Sequence, residues 1–262
     1  MRGFVLAAGL GTRLRPLTDT LPKPLVPIAG EPLILRTIQQ MAAAGVVDIG
    51  VNLFHLADCI RDRVGDGGGL GVRLTWFDER PAVLGTGGGL KNAEAFLRGG
   101  DGTFVLCNAD IWHGFDLRGV IGGHRKGNLA TLAVHRTLRR PDLHTVACHK
   151  DGRIVHIGGR PSPAPAGDFM AIYSGVAVYD TRLLDWLPDG KVCGLVSHGL
   201  LPAMERGESV RWVEPDGAWF DCGTHAEVLR ASAWALRERA AEALRQSERG
   251  VVVKPWAVAR VA

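Results

Sequence analysis

The chain has 262 residues, of which 46% are hydrophobic and 22% are charged, and its formal net charge is +4. A chain of this length and apolar content can bury a substantial core and fold on its own. The 31 basic and 27 acidic residues are interspersed, which argues against nucleic acid as a partner and favours a local anionic ligand. No apolar run approaches the roughly 18 residues of a membrane span, so we expect a cytoplasmic protein without a membrane partner.

Predicted strands and helices alternate along the first half of the chain. In order, the segments are "GFVLAA" (strand), "PLILRTIQQMAAAG" (helix, ending at Gly45), "VVDIGVNL" (strand), "HLADCIRDRVG" (helix), "VRLTWF" (strand), "GGLKNAEAFL" (helix) and "TFVLCNAD" (strand). Repeated strand, helix, strand units predict right-handed crossovers and a parallel sheet with helices on both faces.

After about residue 130 further strands are predicted in "LATLAVHR", "TVACHKDGRIVHIGG", "YSGVAVYD" and "SVRWVE", and a helix in "GLLPAMERG". The Asp-Gly pair in "HKDGRI" predicts a hairpin with a two-residue primed turn. The stretch "RPSPAPAG", residues 160–167, predicts an exposed loop. A long amphipathic helix is predicted in "THAEVLRASAWALRERAAEALRQSE", ahead of the apolar tail "GVVVKPWAVARVA". The predicted fold class is α/β, a Rossmann-like mixed and mainly parallel sheet flanked by helices, with a C-terminal amphipathic helix.

The cysteines are odd in number and widely scattered, without a C-x-x-C pair. This usage argues against a disulfide framework and against a zinc site, and it predicts buried free thiols. The five positions are Cys59, Cys107, Cys148, Cys193 and Cys222.

The stretch "LAAGLGTRLRPLTDTLPKPL", residues 6–25, follows the first predicted strand. It does not match G-x-G-x-x-G, because Leu14 stands three residues after Gly11, and it does not match the G-x-x-x-x-G-K-[ST] phosphate loop. A first strand of a parallel sheet delivers such a stretch to the carboxyl edge, where ligands bind in open α/β folds. Small residues there let backbone N–H groups approach an anion or a planar base.

Three side chains of this stretch suit a phosphorylated ligand. Thr12 adds a hydroxyl, Arg13 a planar cation with several donors, and Lys23 a point charge. Pro22 and Pro24 restrict the backbone around Lys23, so the direction of the lysine is set before a ligand arrives.

The longer segment "LAAGLGTRLRPLTDTLPKPLVPIAGEPLI" resembles, almost position for position, the signature of the sugar-1-phosphate nucleotidyltransferases, also called nucleoside-diphosphate-sugar pyrophosphorylases. The resemblance continues more weakly to residue 225. It implies the nucleotide-diphospho-sugar transferase fold, a nucleoside triphosphate held by the glycine loop, and phosphate contacts from Arg13 and Lys23 as the catalytic side chains. The nucleotide-binding positions implied are Leu6, Ala7, Ala8, Gly9, Gly11, Thr12, Arg13, Gly85, Thr86, Gly87 and Asn108.

A second glycine cluster, "LGTGGGLKNAEAF", is predicted at a strand-to-helix junction, where free N–H groups and close approach are available. The family has a similar "LGTAGAL" segment beside the base and sugar of the nucleotide. The reading "TGGG" resembles the short bacterial members of the family.

The implied reaction needs a divalent cation, and two aspartates follow apolar strands. "TFVLCNAD" ends at Asp110 and "AWFDCGT" contains Asp221. Magnesium prefers one or two carboxylates together with phosphate oxygens and water, so this pair predicts a Mg²⁺ site. Both positions match the two metal-binding aspartates of the family, although Ala109 stands where the family's first motif usually has Gly. In the implied reaction an oxygen of a sugar 1-phosphate attacks the α-phosphorus of a nucleoside triphosphate, and pyrophosphate leaves.

The acceptor site is less complete. "YSGVAVY" contains Ser174 and Gly175, which match a segment whose backbone approaches the sugar in the family. Many relatives carry Glu-Lys-Pro upstream, where this chain has "GRP" with Arg160, so the arginine is expected to bind the phosphate and the sugar-binding Glu is missing. The segments around His55 and Glu79 look like those of the short uridylyltransferases for N-acetylmuramate 1-phosphate, or of the guanylyltransferases for heptose or mannose 1-phosphate.

The best interpretation is a Mg²⁺-dependent nucleotidyltransferase with UTP and N-acetylmuramate 1-phosphate as substrates. The guanylyltransferases, a cytidylyltransferase for a non-sugar phosphate and a non-catalytic nucleotide sensor remain alternatives. We predict one domain over residues 1–262, with a nucleotide-binding half (1–130), a sugar-phosphate-binding half (131–225) and the C-terminal helix and tail (226–262).

The last predicted helix has apolar residues near helical spacing. Packing on the domain's own surface and a homodimer contact both account for such a stripe, so a monomer and a homodimer remain open. The positions are Val228, Leu229, Ala233, Trp234, Leu236, Ala240 and Leu244.

Overall fold

A computed structural model describes residues 1–136, 145–158 and 167–248, with side chains described as far as residue 245. The strands are β1 (Arg2–Leu6), β2 (Pro27–Ile28), β3 (Glu31–Pro32), β4 (Asp48–Leu53), β5 (Arg73–Asp78), β6 (Thr103–Asn108), β7 (Ile111–His113), β8 (Ala130–His135), β9 (Thr145–Cys148), β10 (Ile154–Ile157), β11 (Phe169–Asp180), β12 (Val210–Val213) and β13 (Trp219–Asp221). The α-helices are α1 (Leu33–Ala43), α2 (Ala57–Val64), α3 (Gly85–Asn92), α4 (Glu94–Arg98), α5 (Leu117–Gly123), α6 (Leu201–Glu205) and α7 (His225–Glu248).

The central sheet has nine strands in the order β10-β9-β11-β6-β1-β4-β5, with β8 pairing β11 and β12 pairing β8. Strands β1, β4, β5 and β6 pair in parallel, whereas β11 is antiparallel to β6, β8 and β9. Parallel strands require crossovers, and α1 to α4 supply them between β1 and β6. The mixed, mainly parallel sheet expected from the strand and helix alternation is therefore confirmed.

Two apolar clusters cover the two faces of this sheet. Phe4 belongs to one cluster with Phe104 and Tyr179, and its neighbour Val5 belongs to the other with Ile38. Adjacent residues of one strand point to opposite faces, and both of these are fully buried. A continuous apolar strand such as "FVL" is thus explained by burial on both sides.

The glycine-rich helix is interrupted, because α3 ends at Asn92 and α4 begins at Glu94. The expected single helix over "GGLKNAEAFL" is therefore wrong at its centre. Leu97 N donates to Ala93 O at 3.0 Å and Ala93 N donates to Leu90 O at 3.1 Å, so a turn at Ala93 changes the direction of the chain.

The β9–β10 hairpin is present, but its turn differs from the predicted two-residue type. Gly152 N donates to His149 O at 3.0 Å, and His149 N donates to Arg153 O at 2.8 Å. Gly152 has a φ of 91°, and Asp151 is not among the residues with positive φ. A primed turn of type I′ needs positive φ at both central residues, whereas here a single left-handed glycine closes a three-residue loop.

Helix α7 packs on the chain's own domain through one of its faces. Ala231 and Ala235 are buried in a third apolar cluster with Leu14 and Trp112, and Trp234 packs against it. Arg239 Nη1 donates to Ala29 O at 2.8 Å and ties the helix to the loop after β2. The predicted stripe is wrong in most of its positions, because Ala231 and Ala235 are not part of it and its leucines are exposed by 71% (Leu229), 45% (Leu236) and 66% (Leu244). The apolar tail from residue 249 lies outside the described residues.

None of the described helices has both the length and the apolar character that crossing a membrane requires. The cysteines are free, and four of them are buried as predicted, but Cys59 is exposed on α2. Burial raises the pKa of the Cys222 thiol to about 12. The thiols buried in the sheet are apolar packing groups and not nucleophiles at neutral pH.

His113 on β7 is a buried imidazole with a pH-dependent effect on stability. Its ring stacks on Phe115 at 3.8 Å between centroids, and its Nδ1 lies 3.2 Å from Gln40 Nε2. Burial, and secondly the charge of Arg36, lower its pKa from 6.5 to about 3. The folded protein holds the ring neutral while the unfolded chain takes up a proton below pH 6.5, so stability is present above that pH and is lost as pH falls toward 3.

We therefore expect the free energy of unfolding to fall by about 2 kcal/mol more between about pH 7.5 and about pH 5 in the natural protein than in His113→Gln. Urea unfolding at both pH values measures this difference. Equal losses in the two proteins would show that His113 does not carry the effect.

Candidate active site

The carboxyl ends of β1, β4 and β6 lie side by side. Leu6 stands opposite Asn52 on one side and opposite Asn108 on the other. The chain leaves β1 here into the long loop that carries the signature segment, and it leaves β6 toward Asp110. Open α/β sheets bind ligands at this edge.

Two adjoining cavities of about 190 and 370 Å³ open at this edge and share Leu6, Thr86, Asn108 and Asp110. The first cavity is lined by Leu6, Ala7, Ala8, Gly9, Lys23, Pro24, Asn52, Glu79, Val83, Gly85, Thr86, Asn108, Ala109 and Asp110. The second is lined by Leu6, Arg13, Thr86, Leu106, Asn108, Asp110, Ile111, Tyr173, Ser174, Gly175, Leu195, Val196, Trp219 and Asp221. Their combined size is that of a small-molecule site.

Most of the predicted site residues meet at these cavities, although they come from five separate parts of the chain. Gly11, Thr12 and Gly87 line neither cavity. Arg160, predicted for the sugar phosphate, lies outside the described residues.

Gly11 shapes the signature loop and does not line a cavity wall. Its φ is 65°, and a Cβ there would lie 3.0 Å from Thr18 Cγ2. Thr18 Oγ1 donates to Gly11 O at 2.8 Å, and Thr18 O lies 2.8 Å from His55 Nε2. Short 3₁₀ turns at Thr12–Leu14 and Lys23–Leu25 complete the loop. The left-handed turn at Gly11 thus sets the path that brings Arg13 and Lys23 to the cavities.

The second glycine cluster forms the first turns of α3, which begins at Gly85 itself. Gly87 N and Gly88 N donate to Cys193 O at 2.9 and 3.2 Å. The prediction that these N–H groups are free to bind an anion is therefore wrong. A Cβ on Gly85 would lie 2.6 Å from Cys193 O, and Thr86 Oγ1 accepts from Leu195 N at 2.9 Å. The glycines are explained by close backbone packing, while Gly85 and Thr86 still face the cavities.

A buried polar network forms the far wall of the first cavity. Asn52 Oδ1 accepts from Ala7 N at 2.8 Å, and Asn52 Nδ2 donates to Glu79 Oε1 at 2.7 Å. Leu84 N donates to Glu79 Oε2 at 2.8 Å. Burial raises the pKa of Glu79, and the bonds from Leu84 and Asn52 oppose that rise.

Sequence reasoning missed Asn52 and gave Glu79 no role. A signal was present, because Asn52 lies near the carboxyl end of β4 and Glu79 directly follows β5. Gly89 of α3 leaves the space for both side chains, since a Cβ there would lie 2.6 Å from Asn52 Nδ2 and from Glu79 Oε1.

Two cation and carboxylate pairs lie at the cavities. Lys23 Nζ is 2.7 Å from Asp110 Oδ2, and the lysine side chain is only 9% exposed. Arg13 Nη2 is 3.9 Å from Asp221 Oδ2, and the arginine side chain is 55% exposed. Strand β13 pairs with β7, and Cys222 N donates to Asp110 O at 3.0 Å, so the two aspartates are neighbours although they are far apart in sequence.

The second cavity is closed by an irregular stretch of β11. The pairing of β11 with β8 shifts between Tyr173 and Ala177, and Gly175 there has a φ of 79°. A Cβ on Gly175 would lie 2.7 Å from Asn108 Nδ2. Trp219 Nε1 donates to Ser174 O at 2.8 Å, while the buried Ser174 Oγ has no hydrogen-bond partner within the described part of the chain. The hydroxyl is therefore a polar group available beside this cavity.

Across the described residues, no group of three or more His, Cys, Asp or Glu side chains is arranged to hold a metal ion. Asp110 and Asp221 are two carboxylates on the second cavity. Two carboxylates fit Mg²⁺, which takes its other ligands from phosphates and water, and they do not fit a structural zinc ion.

Comparison with known proteins identifies relatives. An N-acetylmuramate alpha-1-phosphate uridylyltransferase from Caulobacter vibrioides is 45% identical over 246 residues, covering 88% of this chain and 95% of that protein. A UTP--glucose-1-phosphate uridylyltransferase from Synechocystis sp. is 30% identical over 243 residues, covering 88% of this chain. The match spans 62% of the Synechocystis protein, which is less than two thirds of its length.

Among solved structures, HddC from Yersinia pseudotuberculosis complexed with GMP-PN superposes with a TM-score of 0.72 at 23% identity. The superposition covers 89% of this chain and 99% of HddC, and it supports the fold alone. The family described as "Nucleotidyl transferase" matches residues 2–238, which includes both cavities and most of α7. The chain therefore belongs to the nucleotidyl transferase family.

Proposed function

We propose that this protein transfers a nucleotidyl group from a nucleoside triphosphate to a sugar 1-phosphate, releasing pyrophosphate, with UTP and N-acetylmuramate 1-phosphate as the preferred pair. The observation that carries the proposal is the position of Lys23–Asp110 and Arg13–Asp221 at two adjoining cavities. One cavity accommodates the nucleotide and the other the acceptor. The choice of substrates rests on the relative from Caulobacter vibrioides, which is 45% identical.

The proposed reaction does not require a general base from the protein. A sugar 1-phosphate is already anionic near neutral pH, so no side chain has to remove a proton from the attacking oxygen. Catalysis consists of positioning and of neutralising charge on the phosphates. Lys23 and Arg13 supply the positive charge, and Gly9, Ala7 and Ala8 let the nucleotide lie close to the backbone.

Members of this family typically need a divalent metal. We assign this role to Mg²⁺, held by Asp110 and Asp221. When bound, the cation would stabilise negative charge on the phosphates of the nucleotide.

In this proposal the first half of the domain binds the nucleotide and the second half contributes to binding of the acceptor. Every residue that lines the first cavity lies within residues 1–130, and the wall formed by Asn52 and Glu79 faces the nucleotide. Residues 131–225 contribute Ser174 and Gly175 to the second cavity, and the Ser174 hydroxyl, which has no hydrogen-bond partner among the described residues, suits a sugar hydroxyl or phosphate oxygen. Arg160 is assigned to the phosphate of the acceptor by its sequence position.

The test is a matrix of UTP, GTP, CTP, dTTP and ATP against N-acetylmuramate, mannose, heptose and glucose 1-phosphates, with phosphocholine as a non-sugar acceptor. Pyrophosphate formed in the presence of Mg²⁺ is the readout, and Lys23→Met is the control for contaminating activity. We expect the highest kcat/KM with UTP and N-acetylmuramate 1-phosphate. A higher value with GTP would favour guanylyl transfer, and a higher value with CTP and phosphocholine would favour the cytidylyl alternative. Nucleotide binding without product from any pair would contradict transferase activity.

A further inference from the structure

Both carboxylates assigned to the metal already face a cation of the chain. Lys23 Nζ lies 2.7 Å from Asp110 Oδ2 as a hydrogen-bonded ion pair, and Arg13 Nη2 lies 3.9 Å from Asp221 Oδ2. The Asp221 side chain is 8% exposed and the Lys23 side chain 9% exposed, so solvent screens these charges only in part. Each carboxylate assigned to the metal therefore has a side-chain cation beside it.

Gly223 is the residue that permits the second of these pairs. A Cβ on Gly223 would lie 2.6 Å from Arg13 Nη2 and 3.0 Å from Asp221 Oδ1. The backbone of Gly223 does not have positive φ, so its conformation alone does not require glycine. A Cβ would instead displace the Arg13 guanidinium, the flexible end of a side chain that is 55% exposed, from its place beside Asp221.

We propose that Lys23 and Arg13, the latter positioned by Gly223, occupy the metal-binding carboxylates until the nucleotide arrives, so that the divalent cation binds well only together with the triphosphate. The inference rests on the proposed function for the identity of the ligands. Its physical basis is exchange of partners: the phosphates take over the two side-chain cations, and the carboxylates are then released to the metal. Lys23 and Asp110 line the same cavity, and so do Arg13 and Asp221, so each cation can meet a phosphate without a change of fold.

The proposal predicts that loss of Lys23 strengthens metal binding, which is the opposite of the effect expected from a purely structural lysine. A lysine that only supported the shape of the site would weaken metal binding when it is lost. A lysine that competes with the metal for Asp110 would strengthen it. An opposite charge within about 4–6 Å lowers the affinity of a carboxylate for a proton by roughly tenfold or more, and we expect an effect in the same direction on its affinity for a metal cation.

The experiment measures binding of Mn²⁺ alone to the full chain without nucleotide, by the electron paramagnetic resonance signal of free Mn²⁺. We expect Lys23→Met to bind Mn²⁺ about tenfold more tightly than the natural protein. For Arg13→Met and Gly223→Ala we expect tightening of about twofold to fivefold, because Arg13 is more exposed and its contact is longer. Circular dichroism and thermal unfolding establish that each variant is folded.

The matched control is Arg15→Met, which removes the same charge from the same loop. Arg15 pairs with Asp19 at 3.2 Å on the surface, with both side chains more than half exposed. We expect its Mn²⁺ affinity to equal that of the natural protein. Unchanged or weaker binding in Lys23→Met, or equal tightening in Arg15→Met, would overturn the inference.

The result is independent of turnover. Tighter Mn²⁺ binding in Lys23→Met, combined with no pyrophosphate formed by the natural protein from any substrate pair, would support the exchange of partners and reject the proposed reaction. Pyrophosphate formation by the natural protein, combined with weaker Mn²⁺ binding in Lys23→Met, would support the reaction and reject the exchange.

Discussion

Asp110→Asn is expected to lower kcat for pyrophosphate release by on the order of a thousandfold, because it removes one of the two carboxylates assigned to the metal. Asparagine keeps an oxygen that can accept the hydrogen bond from Lys23 Nζ, so the fold is retained. The charge of the lysine then lacks its carboxylate in a site that leaves Lys23 only 9% exposed, so we expect a somewhat lower thermal unfolding temperature. A continuous pyrophosphate assay over a range of Mg²⁺ concentrations measures the loss.

The control for this prediction is Asp19→Asn in the signature loop. Asp19 pairs only at the surface with Arg15, so the variant removes the same charge and is expected to keep kcat within about twofold. If Asp110→Asn retains more than about a tenth of the natural kcat at saturating Mg²⁺, the assignment of Asp110 to the metal is wrong.

The second prediction concerns Asn52→Ala, which removes the centre of the polar wall in the first cavity. The substitution leaves Ala7 N and one oxygen of Glu79 without their hydrogen-bond partner, and both residues are almost fully buried, with Ala7 3% and Glu79 4% exposed. Each unsatisfied buried group costs about 1–3 kcal/mol, so the free energy of unfolding should fall by roughly 2–4 kcal/mol. The Kd for UTP should rise by about tenfold or more, because the wall and the start of the signature loop lose their common anchor.

Urea unfolding and isothermal titration calorimetry with UTP measure these two effects. Asn128→Ala is the matched control, because Asn128 also accepts a side-chain hydrogen bond, from Ser209 Oγ at 3.0 Å, but lies away from both cavities. It should leave the Kd for UTP unchanged. The double variant Asn52→Ala/Glu79→Gln should lose less free energy of unfolding than the sum of the losses in Asn52→Ala and Glu79→Gln, since the two side chains share one hydrogen bond. Additive losses would show that the two side chains act separately.

Much of the fold could be predicted because apolar strands and amphipathic helices alternate regularly along the first half of the chain. Strands such as "FVL" and "TFVLC" are apolar on both faces, and the helices between them have an apolar side, which together favour a covered parallel sheet. The path of the second half could not be predicted in the same way. β11 runs between β6, β8 and β9 as an antiparallel strand, and a strand's neighbours are set by which apolar faces pack together.

The candidate site shows the same division. The loop with Arg13 and Lys23, and the aspartates Asp110 and Asp221, are visible in the sequence because charged residues directly after apolar strands reach the carboxyl edge of a sheet. The partner of each charge is not visible. Pairing of β7 with β13 brings Asp221 beside Asp110, and the path of the signature loop places Lys23 at Asp110 and Arg13 at Asp221.

The glycines illustrate the limit most clearly. Gly85, Gly87 and Gly88 look like a phosphate-binding cluster, yet two of their N–H groups bind Cys193 O, which lies about a hundred residues later in the chain. Gly223 draws no attention in the sequence, although a Cβ there would meet Arg13 Nη2 at 2.6 Å. A glycine is required where rigid backbone from a distant part of the chain comes close, as Cys193 O does at Gly85, and only the folded chain specifies which atom that is.

The sequence alone therefore determined the α/β class and the family signature and indicated the charged residues of the candidate site, because local periodicity and motif spacing are properties of neighbouring residues. Only the tertiary structure decided that Asn52 and Glu79 form a cavity wall, that α7 buries Ala231 and Ala235, and that Asp110 and Asp221, the aspartates proposed to bind the metal, each face a cation. These features depend on contacts between residues far apart in the chain. Such contacts form only when burial of apolar surface brings the strands and helices together.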